Sequence, residues 1–184
     1  MKKLLHSQIL ELRKDASNIN EYARHPIKVL LYNIRSLYNV GSIFRTADSA
    51  FVEELILCGF TPCPPRKEIE KTALGATETV PWKYFKSTIE AINELKAENY
   101  KICALEITDR GRDYNDLSIE DFPIAIIAGN EISGIDNEIL ELCDFSIEIP
   151  MYGVKHSLNV SVATGIAVYN TLNIYKKMVK NEKN

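Results

Sequence analysis

Ile124-Ala-Ile-Ile-Ala128, followed at once by Gly129-Asn130-Glu131-Ile132-Ser133-Gly134, is an unbroken apolar run ending in a polar turn between two glycines. Apolar residues without polar alternation read as a strand covered on both faces, the signature of a parallel sheet. Working outward, the same pattern recurs. Lys28–Tyr32 (KVLLY), Glu54–Cys58 (ELILC), Lys101–Ile107 (KICALEI) and Phe145–Ile149 read as further strands. Helical periodicity falls between them: Val40–Ala50, Ser87–Glu98 with Ile89, Ile92 and Leu95 on one side, Asn137–Cys143, and a long final helix over Ser157–Met178. Thr61–Pro65 holds three prolines and reads as loop. Alternating strand and helix signals predict an α/β layer fold, a mostly parallel sheet with helices on both faces.

A chain of 184 residues with 46 % hydrophobic and 26 % charged residues is expected to make a single folded domain. That composition excludes a disordered chain, a collagen-like fibre and a disulfide scaffold. Leu4, Leu5, Ile9 and Leu12 lie at helical spacing, so residues 1–26 read as a helical extension that His25-Pro26 punctuates. Residues 27–178 form the main domain, and 179–184 a Lys-rich tail. The opening MKKLLHSQILEL has a basic pair, but His6, Ser7, Gln8 and Glu11 interrupt its apolar stretch, so it does not read as a signal peptide. No apolar run approaches the ~20 residues of a membrane span, and a cytoplasmic location is expected. Cys58, Cys63, Cys103 and Cys143 form no C-x-x-C, and no His pair stands at ligand spacing, so no metal is expected.

The formal charge is −3, which argues against a chain that simply coats nucleic acid. Its distribution says more: residues 1–35 carry seven basic and three acidic groups, and residues 106–148 carry twelve acidic groups against two Arg. A basic surface built from the two termini is the sharper reading; segregated solvated faces are the plainer one.

In open parallel sheets, ligands bind beyond the carboxyl ends of the strands. Three polar clusters fall at such ends. The first runs from Asn33 through Asn39 and Arg45 to Asp48, and the second is Gly129-Asn130-Glu131 with Gly134. The third runs from Pro150-Met151 through Gly153 to Ser157-Leu158-Asn159-Val160-Ser161. Each has a plain structural explanation, a tight turn at Gly129 and Gly134 or a helix N-cap at Ser157. The dinucleotide G-x-G-x-x-G, a Walker lysine and G-x-S-x-G are all missing, which removes dehydrogenase, kinase and hydrolase readings.

Together the clusters resemble the three motifs of the SpoU/TrmH branch of the SPOUT RNA methyltransferases. Lys71-Thr-Ala-Leu-Gly75-Ala76, running on to Val80-Pro81, resembles the segment between the first two motifs. The likeness covers roughly residues 27–175. It implies an α/β fold with a trefoil knot near the C-terminus, a homodimer, S-adenosylmethionine as cofactor, and methyl transfer to a ribose 2′-oxygen of tRNA or rRNA, tRNA slightly favoured. By position, Asn39 and Arg45 match the family's catalytic pair, with Glu131, Ser157 and Asn159 completing the site. Leu105, Glu106, Gly129, Asn130, Ile149, Met151 and Leu158 match cofactor-contacting positions, mostly through backbone. Two alternatives stand beside this: an RNA-binding module of the same fold without turnover, and methylation of a base.

The chemistry suits these residue types. A sulfonium is already electrophilic, so the obstacle is a poorly acidic hydroxyl. An Arg holds a neighbouring phosphate bidentately and stabilises charge developing on oxygen. It stays protonated, so Arg45 is not expected to accept a proton. His156, beside Ser157, is expected to rim the RNA site rather than act as a base. The long helix is apolar on more than one face, which predicts a two-fold dimer through part of it with Ala47–Phe51 nearby.

Overall fold

A computed structural model describes residues 1–12, 14 and 16–181; residues 182–184 of the expected tail lie outside the described residues. Seven strands are named: β1 (His25–Tyr32), β2 (Val52–Cys58), β3 (Trp82–Phe85), β4 (Lys101–Leu105), β5 (Arg112–Asp113), β6 (Ile124–Ala128) and β7 (Phe145–Glu148). They form one sheet in the order β3-β2-β1-β6-β4-β7-β5, and every pairing is parallel. The helices are α1 (His6–Glu11), α2 (Leu37–Ala50), α3 (Lys67–Ala73), α4 (Ala76–Thr79), α5 (Thr88–Ala97), α6 (Asn137–Leu140) and α7 (Val160–Asn181).

Side chains alternate across a strand, so each strand feeds two cores. In β1, Val29 and Leu31 join Phe44, Ile69 and Val168 on the face covered by α2, α3 and α7. Leu30 and Tyr32 join Ile92, Leu95 and Ile139 on the face covered by α5 and α6. β6 is wholly buried between β1 and β4, which is why its sequence shows no polar alternation.

Near the other edge the chain crosses itself. Leu105 pairs with Ile147 on one side, and Arg112 pairs with the same Ile147 on the other. The segment between them therefore passes over the end of β7. A side chain at Gly111 would come within 3.3 Å of the Glu148 carboxylate beneath it.

Several boundaries depart from the sequence reading. Pro26 does not stop the chain but lies inside β1, where the register slips between His25 and Lys28 because proline has no N–H to give the ladder. Among its described residues the extension holds a six-residue helix and a 3₁₀ stretch at Ala16–Glu21, and Leu4, Leu5, Leu10 and Leu12 stay exposed. A helix that short is not stable by itself and here gains no packed face. The final helix begins at Val160 rather than Ser157, since Asn159, not Ser157, caps it: its Oδ1 accepts from the Ser161 N–H at 3.0 Å. The strand over Trp82–Phe85 and the short helices α3 and α4 carry too few periodic residues to stand out in sequence. No helix among the described residues is long and apolar enough to cross a membrane.

Candidate active site

With all strands parallel, the carboxyl ends of β1, β4, β6 and β7 meet at one edge. A cleft of about 770 Å³ opens there, lined by residues 105–107, 128–135, 147–149, 151 and 156–160 among others. Its floor is the turn after β6. Asn130 and Gly134 exchange backbone hydrogen bonds, each at 3.0 Å. The Asn130 side chain pins the turn further, donating to Asn33 O at 2.6 Å and accepting from the N–H of Ile132 and Ser133. Gly129 has to be glycine, because a Cβ there would sit 2.7 Å from the Gly134 carbonyl carbon. Gly134 itself has φ +68°, and a side chain on it would meet the Glu106 carboxylate at 2.3 Å. Glu106 accepts from the Ile135 N–H at 3.1 Å, tying β4's end to the turn.

The opposite wall differs in chemistry. Residues 152–159 are exposed, and the backbone groups of Ile149, Met151 and Leu158 make no hydrogen bond with any described residue. These unpaired peptide groups belong to residues that line the cleft. Such a wall suits the edge of a heteroaromatic base, which needs one donor and one acceptor in plane, beside the apolar faces of Ile149, Met151 and Leu158.

Three elements meet at the mouth. Glu131 accepts from Arg35 N–H at 2.8 Å, Ser36 N–H at 3.0 Å and Asn39 Nδ2 at 2.9 Å. Asn159 Nδ2 in turn donates to Asn39 Oδ1 at 3.1 Å. The Asn39 amide thus bridges the turn after β6 and the start of α7. Its direction is fixed, since only the NH₂ can face a carboxylate. Partial burial would raise the Glu131 carboxyl, but the two backbone N–H groups and Asn39 outweigh it and hold it below the usual range. A lowered carboxyl stabilises above its unfolded pKa and loses that stabilisation as pH falls through the folded one, so Glu131 is ionised at neutral pH. Both Arg35 and Ser36 present their N–H groups at the entry to α2, where Ser36 is the N-cap. A carboxylate there also meets the positive end of the helix.

All seven positions matched to the cofactor line the cleft, together with Glu131, Ser157 and Asn159. Asn39 reaches it through Glu131 and Asn159. Arg45 does not: it stands on the exposed side of α2 in a separate groove with Lys71 and Tyr169, and it has no carboxylate partner among the described residues. Six residues of helix place it about 9 Å along the axis from Asn39. Asp48, next in the first motif, is structural here and accepts from Thr79 Oγ1 at 2.5 Å. Tyr32, at the end of β1, is buried and donates to Asp136 at 2.5 Å, and burial followed by that acceptor pushes its phenol up to about 12. Sequence reasoning missed the backbone donors of Arg35 and Ser36, which side-chain types cannot reveal, and the Lys71–Tyr169 groove. It also left His156 on the rim, and His156 does line the cleft. Among the described residues, no three His, Cys, Asp or Glu side chains converge as metal ligands.

Residues 26–169 match the model of the SpoU rRNA Methylase family. The chain belongs to that family. Among relatives, a putative TrmH family tRNA/rRNA methyltransferase of Staphylococcus haemolyticus (strain JCSC1435) is 32 % identical over 92 % of this chain and 64 % of its own length. A Staphylococcus epidermidis counterpart is 32 % identical over 84 % and 60 %. The chain thus spans about three-fifths of the curated relatives it matches. Among solved structures, the A. aeolicus TrmH/SpoU tRNA modifying enzyme superposes with a TM-score of 0.78 at 27 % identity, covering 92 % of this chain and 86 % of that one. An AdoMet-bound rRNA methyltransferase from Sinorhizobium meliloti gives 0.77 at 26 %, over 84 % and 59 %. For a SpoU-family chain, the joining of all three motifs through Asn39, Glu131 and Asn159 accounts for their wide spacing in sequence: each sits at a different strand end and they meet only at the mouth.

Proposed function

We propose that the chain transfers a methyl group from S-adenosylmethionine to a ribose 2′-oxygen of RNA. The observation that carries this is the Glu131–Asn39–Asn159 network at the mouth of a cleft walled by unpaired peptide groups. When bound, S-adenosylmethionine supplies a sulfonium methyl that needs no metal. Ile149, Met151 and Leu158 would hold it through backbone, Gly129 and Asn130 would shape its floor, and Glu106 would offer a carboxylate to a hydroxyl or ammonium. Ionised Glu131 fixes the Asn39 amide, so that Asn39 and Asn159 hold the ribose hydroxyl in place. Ser157, exposed and without a hydrogen-bond partner among the described residues, is available to hydrogen-bond that hydroxyl and pass its proton to solvent. Arg45, a fixed cation in the neighbouring groove, holds an adjoining phosphate and so orients the ribose.

The specific pairing of amides with an ionised carboxylate favours the ribose over a base, and the intact set argues against an RNA-binding module without turnover. For tRNA over rRNA, the reading draws on the A. aeolicus tRNA modifying enzyme, which the chain covers to 86 % of its length. The knotted path belongs to the same reading and draws on the crossing of residues 105–112 over β7. Titrating S-adenosylmethionine by calorimetry tests the first half: the expected result is saturable binding and a raised melting temperature, by mass action on the folded state. Nucleoside mass analysis of RNA from a deletion strain tests the second, with one 2′-O-methylnucleoside expected to disappear. No binding, or loss of a base-methylated nucleoside instead, refutes the corresponding half.

A homodimer is proposed as well, but through a different patch from the one expected. Ala47, Ala50 and Phe51 are already buried in the protomer's own core, because the Phe51 cap turns the chain back into β2. What α7 leaves open is Val162 and Ile166, one turn apart, with Leu158 just ahead, each between 36 and 49 % exposed. Light scattering is expected to give about twice the 20.9 kDa of one chain, and Ile166→Glu to return the protomer mass. A wild-type particle of protomer mass at micromolar concentration would refute the dimer.

A further inference from the structure

The groove that holds Arg45 measures about 420 Å³ and lies between α2, α3 and α7; it shares no lining residue with the cleft. Arg45 enters it from α2 and Lys71 from α3, and neither has a carboxylate partner among the described residues. Other exposed cations, such as Lys67, Lys86 and Lys101, also lack a carboxylate partner among the described residues, but Arg45 and Lys71 line one concavity together. Two unneutralised cations in one concavity are a site for an anion.

The hydroxyls point the same way. Thr46 and Ser49 donate to carbonyls one turn back, Ser42 O and Arg45 O. The Ser42 and Tyr169 hydroxyls make no hydrogen bond with any described residue, and both residues line the groove. The walls are held by close helix contacts. A Cβ on Gly41 would fall 2.2 Å from Ile69 O of α3, and one on Gly165 of α7 would touch Thr46 at 3.9 Å. Tyr169 follows Gly165 by one turn, so the same approach sets its position. The result is two cations and two hydroxyl donors around a space for a group that carries only acceptors and a negative charge.

We propose that this groove seats a phosphodiester of the RNA strand, with Lys71 as the second cation beside Arg45 and Tyr169 donating its hydroxyl. The inference rests on the reading of the chain as an RNA methyltransferase. An RNA strand fits better than a free anion because α2 rigidly joins Arg45 to Asn39: a strand with its ribose at Asn39 has a backbone phosphate within reach along the same helix. Lys71 is a substrate-positioning residue and touches neither cofactor nor ribose.

The test uses the full chain and a fluorescein-labelled single-stranded oligoribonucleotide of mixed sequence, with bulk tRNA as a second probe. Lys71→Gln is expected to weaken binding about three- to tenfold and to lower the slope of log Kobs against log salt by about 0.7, one phosphate contact on a single strand. Lys71→Arg should keep the slope, and Lys101→Gln, at the amino end of β4, should be silent. In turnover on bulk RNA, Lys71→Gln should raise KM while kcat stays within about twofold, with S-adenosylmethionine affinity and melting temperature unchanged. A merely structural lysine would move none of the salt slopes. An unchanged slope in a folded Lys71→Gln, with wild type binding RNA, overturns the groove assignment alone. A Lys71→Gln that loses inorganic phosphate binding yet keeps its RNA slope overturns it too, in favour of a free anion. A wild type that binds S-adenosylmethionine but neither RNA probe overturns the RNA reading, and this inference with it.

Discussion

Arg45→Ala is expected to leave S-adenosylmethionine affinity within about threefold while lowering turnover by about 10²-fold or more. The two effects separate because Arg45 lines no part of the cleft that would hold the cofactor. Removing it costs no cofactor contact, but it deletes the cation that would fix the RNA backbone and so place the ribose hydroxyl, and a misplaced reacting group loses about 10²-fold in rate. Arg45→Lys should recover little, since an ammonium cannot reproduce the planar two-pronged contact with a phosphate. Asn159→Ala should behave differently and damage both properties. It loses the bond to Asn39 and the cap of α7, and Leu158 next to it lines the cleft. The competing account of Arg45, a surface ion pair, already lacks its partner carboxylate among the described residues. The measurement is single-turnover methylation of RNA beside calorimetric cofactor binding. Near-normal turnover by Arg45→Ala would remove Arg45 from the mechanism without touching the family.

Lys28→Ala is expected to lower stability by about 3 kcal/mol, at the low end of what breaking one partner of a buried ion pair costs. Lys28 lies in β1 at the end of the sheet away from the cleft, and its side chain is 6 % exposed. It bonds to Glu98, approaches Glu54 at 3.4 Å and Glu53 at 3.8 Å, and sits 4.6 Å over the Tyr100 ring. Burial first, and then the bond to Glu53, drives the Tyr100 phenol upward, so this ring stays neutral and cannot take over as counter-charge. Without the ammonium, Glu54, at 11 % exposure, keeps only Lys83 at 3.5 Å. The discount to the low end reflects Glu53 and Glu98, both about 40 % exposed and able to turn to water. For a chain of this size the melting temperature should fall by about 6–12 °C. Urea unfolding should show a lower midpoint at constant m-value, with cofactor affinity unchanged. A loss below about 1 kcal/mol would mean that the cluster behaves as a surface network.

Lys28 shows where reading the chain in one dimension stops. KVLLY was legible as a buried strand from its apolar run, and the lysine at its head gave no sign of being inside. Its burial depends on Glu53, Glu54 and Glu98, which come from β2 and the end of α5. The strands β1, β2, β4, β6 and β7 were likewise legible, each as an apolar run, because burial on both faces leaves no room for polar alternation. β3 was not, since it pairs only on one side and half its residues face water.

By itself the sequence determined the α/β class, the parallel sheet, the three polar clusters at strand ends and, through them, the family. Those are local matters of composition and spacing, and residues such as Gly129 carry their own steric reason. Only the tertiary structure decided the strand order, with β7 inserted between β4 and β5, and the division of the motif residues between two concavities. Asn39 and Glu131 are 92 positions apart and Asn39 and Asn159 are 120 apart, yet they share hydrogen bonds. Arg45, only six residues from Asn39, faces elsewhere, because helical periodicity leaves the two about 120° apart around α2. The carboxylate of Glu131 owes its state to two backbone N–H groups whose direction is set by where α2 begins. Hydrogen bonds and solvent exposure depend on distance in space, and distance in space between remote residues is fixed only when the sheet has ordered its strands.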